Sequence, residues 1–192
     1  MKTRSKTLLL ALCAVLLVVG SVMGTMAYLT SQDAVTNTFT VGSVAITLDE
    51  TDVNTAGVKD GETRVDANTY KLMPGHSYTK DPIVHVNEDS EDSWLFVKVE
   101  NEIAAIEDAT TIADQMTAKG WTLVSGTTNI YAYKEVVDAG DNITVFETFK
   151  IKGDVTDLSS YEGKTVKVTA YAVQADGFET AAAAWNATFG AN

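Results

Sequence analysis

From Val35 to Val41 the chain alternates, with Val35, Asn37, Phe39 and Val41 on one side and Thr36, Thr38 and Thr40 on the other. A two-residue period with β-branched residues on both faces predicts a strand. Gly42-Ser43 interrupts it, and Val44, Ile46 and Leu48 against Ala45, Thr47 and Asp49 predict a second. Residues 50–68 are polar, with Gly57 and Asp60-Gly61, and read as a loop or hairpin tip. Leu72-Met73-Pro74-Gly75-His76 predicts a turn, because proline fixes one dihedral and glycine permits the next. Ile83, Val84 and Val86 open another strand, Asn87 to Ser93 form an acidic loop, and Trp94 to Val99 are apolar on both faces. Ile106, Ile112 and Met116 fit a helical stripe, with Thr110 or Thr111 as its cap and Gly120 as its stop. Strand patterns return at residues 121–124, 130–133, 143–151 and 166–173, and an alanine-rich tail, residues 179–187, predicts a short helix carrying Trp185. Short strands separated by turns, with one or two short helices, predict a mostly β chain, an antiparallel jelly-roll-like β-sandwich.

The first 27 residues follow a different logic. Lys2, Arg4 and Lys6 precede an apolar run from Leu8 to Val19. A membrane-spanning helix needs ~20 apolar residues, so this run has the length of a signal-peptide core. Thr25 and Ala27 then place small residues at the −3 and −1 positions of a cut between Ala27 and Tyr28. The expected organisation is a signal helix within residues 1–27, an N-terminal segment at 28–43, and a β-sandwich domain at 44–192. Contact with a membrane is expected only through the uncleaved signal peptide. Cys13, the one cysteine, follows Leu12 inside the apolar run, which does not suit a lipid-anchor site.

Removing the leader changes the charge. It holds three of the 14 basic residues and none of the 26 acidic ones, which leaves 11 against 26, a net of −15. Such a surface repels nucleic acid and anionic lipid. Without a cysteine, residues 28–192 have no disulfide, so stability must come from packing, bound ions or neighbouring subunits.

No catalytic residue stands out. His76 and His85 belong to no H-E-x-x-H motif, and a zinc site needs several ligands on a rigid frame, so structural roles are expected for both and no metal site is assigned. No G-x-S-x-G motif occurs. Glu88, Asp89, Glu91 and Asp92 crowd one loop, a candidate calcium site, although the spacing is not that of an EF-hand and a solvated acidic loop accounts for it. Trp94, Trp121 and Trp185 are candidates for a carbohydrate platform, but each has apolar neighbours that favour packing.

Gly24-Thr25-Met26-Ala27-Tyr28-Leu29-Thr30, together with Phe39-Thr40-Val41-Gly42-Ser43-Val44, resembles the N-terminus of the TasA/camelysin family. Further similarities follow in order: Leu72-Met73-Pro74-Gly75, Lys80-Asp81-Pro82, Trp94-Leu95-Phe96-Val97-Lys98-Val99 and Thr169-Ala170-Tyr171-Ala172-Val173-Gln174. The resemblance implies an exported protein of Gram-positive bacteria, processed by the signal peptidase SipW. It also implies a jelly roll and a non-enzymatic place in the biofilm matrix or on the cell surface. In the family, the freed N-terminal segment enters the sandwich of a neighbouring subunit and builds fibres. Here the donor strand would carry Val35, Asn37, Phe39 and Val41, and the partner would be a second copy, head to tail. The alternatives are a monomeric surface module that binds glycan or the cell envelope, and a camelysin-like metalloprotease, which the missing zinc motif disfavours.

Overall fold

The computed structural model describes residue 6 and residues 8–19 and 42–190. Ala27, Tyr28 and the alternating positions Val35, Asn37, Phe39 and Val41 lie outside the described residues. The chain divides into two units, Met1–Thr40 and Val41–Asn192. In the first, residues 8–19 form a helix, α1, with exposed leucines and valines. No described helix is long and apolar enough to cross a membrane.

The second unit is mostly β, and every strand pair is antiparallel. One sheet joins β1 (Ile46–Val53), β2 (Lys59–Val65), β4 (Ile83–Val86) and β8 (Asn142–Thr144) in the order β2-β1-β4-β8. Another joins β5 (Ser93–Asn101), β6 (Trp121–Leu123), β7 (Ile130–Tyr133) and β10 (Val166–Gln174) in the order β10-β5-β7-β6. β3 (Ser77–Thr79) and β9 (Thr148–Lys150) form a two-stranded sheet. Among the described residues the unit also has two α-helices, α2 (Ile112–Ala118) and α3 (Ala181–Phe189), and two 3-10 turns, Ala104–Ile106 and Ser159–Tyr161, so Ile106 lies outside the helix that carries Ile112 and Met116.

The apolar run of β5 explains the layering. Leu95, Val97 and Val99 point into the main core, where they meet Val84 and Val86 of β4, Met116 of α2 and the fully buried Trp121. Phe96, on the opposite face, belongs to a second cluster with Ala184 of α3, against which Trp94 and Trp185 pack. A strand apolar on both faces must be covered twice. The other four-stranded sheet supplies one cover and α3 the other.

Two stretches depart from the sequence pattern. Residues 50–68 are not all loop: β1 continues to Val53, and β2 returns beside it with a β-bulge between Thr51 and Val53. β2 reads Lys-Asp-Gly-Glu-Thr-Arg-Val and is largely exposed, so it lacks the apolar alternation that marks a strand. Backbone pairing at a sheet edge does not require that alternation. Residues 143–151 read as one strand but are two. Val145 and Phe146 turn fully into the core, and the chain passes from β8, beside β4, to β9, beside β3.

Local chemistry sets the ends. Thr111 caps α2, and Thr111 and Asp114 form a reciprocal capping box. Gly57 has φ of +72°, and a Cβ there would lie 2.8 Å from the Tyr78 Cα, so the turn before β2 needs glycine. Thr111→Ala is expected to cost about 1 kcal/mol. Urea denaturation of residues 28–192 checks this, with the midpoint falling and the slope unchanged.

Candidate functional site

A groove of about 900 Å³ lies on one side of the β unit. One wall carries Leu48 of β1 with Tyr70 and Leu72 from the segment after β2. The other carries Val166 and Val168 of β10 with Leu158 and Tyr161 from the turn before it. Ile103 and Phe149, both buried, lie deeper. The seven wall residues are only half-buried, so the groove exposes apolar surface that the fold leaves partly uncovered.

β10 forms the lip of this groove. All nine of its residues pair with β5 on one side. Among the described residues no strand pairs with its other side. In an antiparallel strand every second residue directs its N–H and C=O to a given neighbour, so an open edge is a row of unpaired donors and acceptors. The remaining edges of the four-stranded sheets are blunted. β6 and β8 have three residues each, and β2 carries four charges and Gly61. β10 has nine residues, no proline or glycine and one charge, Lys167. Short strands and charges are how natural sheets block edge pairing; β10 is long and has a single charge, Lys167, near its start.

A polar network supports the first wall. Arg64 Nε lies 2.5 Å from Asp49 Oδ1, and its Nη2 donates to the backbone carbonyls of Asp49 and Asp81, both at 3.1 Å. The Asp81 carboxylate in turn accepts from the Thr51 N–H at 2.8 Å and the Thr51 hydroxyl at 2.7 Å. Lys80 Nζ lies 2.5 Å from Glu50 Oε2, and Asn68 Nδ2 donates to Glu50 Oε1 at 3.0 Å. Tyr78 anchors the segment between them, since its hydroxyl accepts from the Met73 N–H and donates to the Lys71 carbonyl, each at 2.7 Å. Burial, with the Glu50 and Asp81 carboxylates nearby, raises the Tyr70 phenol above its ordinary range.

The residues singled out in the sequence are scattered. His85 Nε2 is 2.9 Å from Asp49 Oδ1 and its Nδ1 meets Asn142 Oδ1, so it belongs to the polar network. His76 Nε2 lies 2.8 Å from the Ala56 carbonyl, and its ring packs edge-on against Tyr78. Glu88, Asp89, Glu91 and Asp92 are all exposed, and among the described residues no group of three or more His, Cys, Asp or Glu side chains could hold a metal ion. Trp121 is fully buried, with its indole N–H donated to the Thr144 carbonyl at 3.0 Å. Trp94 and Trp185 remain half-buried in the second cluster, so the three tryptophans form no common platform.

The groove and its open edge gave no motif in the sequence. The pattern identified β10 as a strand, but whether a strand lies at an edge depends on which strands pair. Compared with protein-family models, curated proteins and solved structures, the chain shows no match.

The polar wall has a pH signature. Burial of Asp49 raises its pKa, but the hydrogen bonds and charges of Arg64 and His85 outweigh that effect and hold it below the usual carboxylate range. A carboxyl depressed in the folded state adds stability that is present above its unfolded pKa and lost as pH falls through the folded one. The urea midpoint is therefore expected to drop as pH falls below about 4. In Asp49→Asn the midpoint should be lower at pH 7 and its decline below pH ~4 shallower. Equal acid slopes for the two proteins would show that this carboxyl does not contribute.

Proposed function

We propose that the chain is an exported, non-enzymatic structural protein of the TasA/camelysin type, a jelly-roll β-sandwich whose subunits join by strand addition. On this reading a SipW-type peptidase cuts between Ala27 and Tyr28. The freed segment 28–43 of one subunit then enters the groove of the next and pairs with the open edge of β10. The observation that carries the proposal is the combination at that edge: a nine-residue strand with one charge and no proline or glycine, beside a row of half-buried apolar side chains. Strand addition uses backbone hydrogen bonds for affinity and pockets for alternate side chains for selectivity. Val35, Phe39 and Val41, spaced by even numbers of residues, suit the second requirement.

Such a contact joins two different surfaces of the subunit, so it does not close on itself and yields filaments. Before cleavage the donor is continuous with the apolar leader, and after it the new N-terminus is free. Cleavage thus couples export to assembly, and the product belongs in the extracellular matrix or on the cell surface.

The experiment compares residues 28–192 with residues 44–192 by negative-stain electron microscopy. Fibres are expected from the longer protein and not from the shorter one; equally good fibres from both would end the donor-strand reading. A synthetic peptide of residues 28–43 is expected to bind the shorter protein at one per subunit. Val168→Lys, which sets a charge on the groove wall, should weaken that binding at least tenfold while leaving the circular dichroism spectrum unchanged.

A further inference from the structure

The pair in the first wall of the groove has a third member, which gives it a chemical reading. Lys80 and Glu50 are almost withdrawn from water, with side chains 10% and 5% exposed. Such a pair is weak evidence for stability, because desolvating two charges offsets much of their attraction. Here the same carboxylate also touches a carboxamide: Oε2 faces the Lys80 amine at 2.5 Å, and Oε1 faces the Asn68 Nδ2 at 3.0 Å. The orientation of that amide is fixed by backbone partners. Asn68 Oδ1 accepts from the Val53 N–H at 2.9 Å, and Nδ2 donates to the Thr51 carbonyl at 2.8 Å.

Together these contacts supply the parts of an acyl transfer. The lysine amine is a nucleophile, the Asn68 Cγ an electrophile, and Glu50 a proton carrier between amine and leaving group. The Val53 N–H sits on the oxygen where negative charge would develop. The Tyr70 ring, 6.0 Å from Nζ, helps to enclose the group. Asp81, the next residue, is already engaged by Arg64 and Thr51. Glu50 is not itself a comparable acceptor, because a carboxylate would have to expel oxide.

We propose that Lys80 and Asn68 become joined by an intramolecular amide bond once the chain folds, with Glu50 as the catalytic residue. Glu50 takes a proton from the Lys80 ammonium, and the freed Nζ lone pair attacks Asn68 Cγ. The C=O electron pair moves onto Oδ1, which the Val53 N–H holds. Glu50 delivers its proton to Nδ2, the pair returns from Oδ1, and the Cγ–Nδ2 bond breaks. Glu50 then accepts the second proton from Nζ and passes it to the departing ammonia, which leaves as ammonium. In net terms an ammonium and a carboxamide become a secondary amide and an ammonium ion, and Glu50 ends as the carboxylate it began as. No oxidant, metal or cofactor is consumed.

The bond would tie the segment after β2 to the residue two positions before Pro82, closing a loop that contains β3. In residues 28–192, which have no cysteine, it would provide a covalent crosslink inside the subunit. The proposal does not depend on fibre formation, and its test reads bond formation in the isolated protein.

The test is the intact mass of the folded, purified chain followed by tryptic mapping. The expected mass is lower than the sequence mass by one ammonia. Trypsin should release residues 65–71 joined to residues 72–98, with Lys80 uncleaved. A full sequence mass, or separate peptides 65–71 and 72–80, would overturn the proposal. An ammonia loss found within 65–71 alone would mean cyclisation of Asn68 and would overturn it too. Glu50→Gln keeps the shape but removes the proton carrier, so full mass and separate peptides are expected. A crosslink that persists in that variant would refute the role of Glu50. Asn68→Ala and Lys80→Arg should also show the full sequence mass, and each provides the same readout where another variant fails to fold.

Discussion

β5 is apolar on both faces, and much of the architecture answers that constraint. Leu95, Val97 and Val99 require one cover, and Phe96 with Trp94 requires another. The cost of leaving such side chains in water is about 1.5–3 kcal/mol each, so neither face can stay open. The sheet containing β4 closes one face, and α3 closes the other. Trp121 and Met116 extend the first cluster toward α2, while Trp185 and Phe96, with ring centroids 5.0 Å apart, form the centre of the second. β5 is interior to its sheet, between β10 and β7, which leaves β10 as the outer strand.

The position of β10 creates a tension that the other edges avoid. Its inward residues, Val166, Val168, Ala170 and Ala172, pack against the main core, so the strand is strongly specified in register. Its outer backbone edge has no described strand partner, and the apolar groove runs beside it. Natural sheets seldom leave a long unguarded edge without a use, since it is a template for pairing with another chain. The proposed donor strand turns that hazard into an assembly contact, and it places the specificity in the groove rather than in the backbone.

The groove keeps its shape because its first wall is held by polar contacts as well as by packing. Arg64 joins the backbone of β1 to that of Asp81, and Tyr78 fixes the segment between Lys71 and Met73. The Glu50, Asn68 and Lys80 side chains tie three separate stretches together across this wall. Buried hydrogen-bonded groups of this kind rigidify their surroundings when every member is satisfied, and among the described residues no buried side-chain nitrogen or oxygen lacks a partner. The proposed amide would make one of these contacts permanent.

Several features were legible in the sequence alone. The double-faced apolar run of β5, the Thr111 cap and Gly120 stop of α2, the turn at Pro74-Gly75 and the alanine-rich C-terminal helix are local signals, and local patterns of burial, capping and turn chemistry encode them directly. The basic and apolar pattern of the first 19 residues and the excess of acidic residues were equally plain. β2 was not, because an exposed edge strand needs only a partner's backbone and carries no apolar alternation. Residues 143–151 misled for the opposite reason: a continuous apolar run records burial, but Val145 and Phe146 are buried at the crossing between two sheets. The open edge of β10 and the meeting of Glu50, Asn68 and Lys80 were decided by tertiary structure alone. Residues 18 and 30 positions apart come into contact only when strands choose their neighbours, and that choice is settled by the summed burial of both sheets rather than by any one segment.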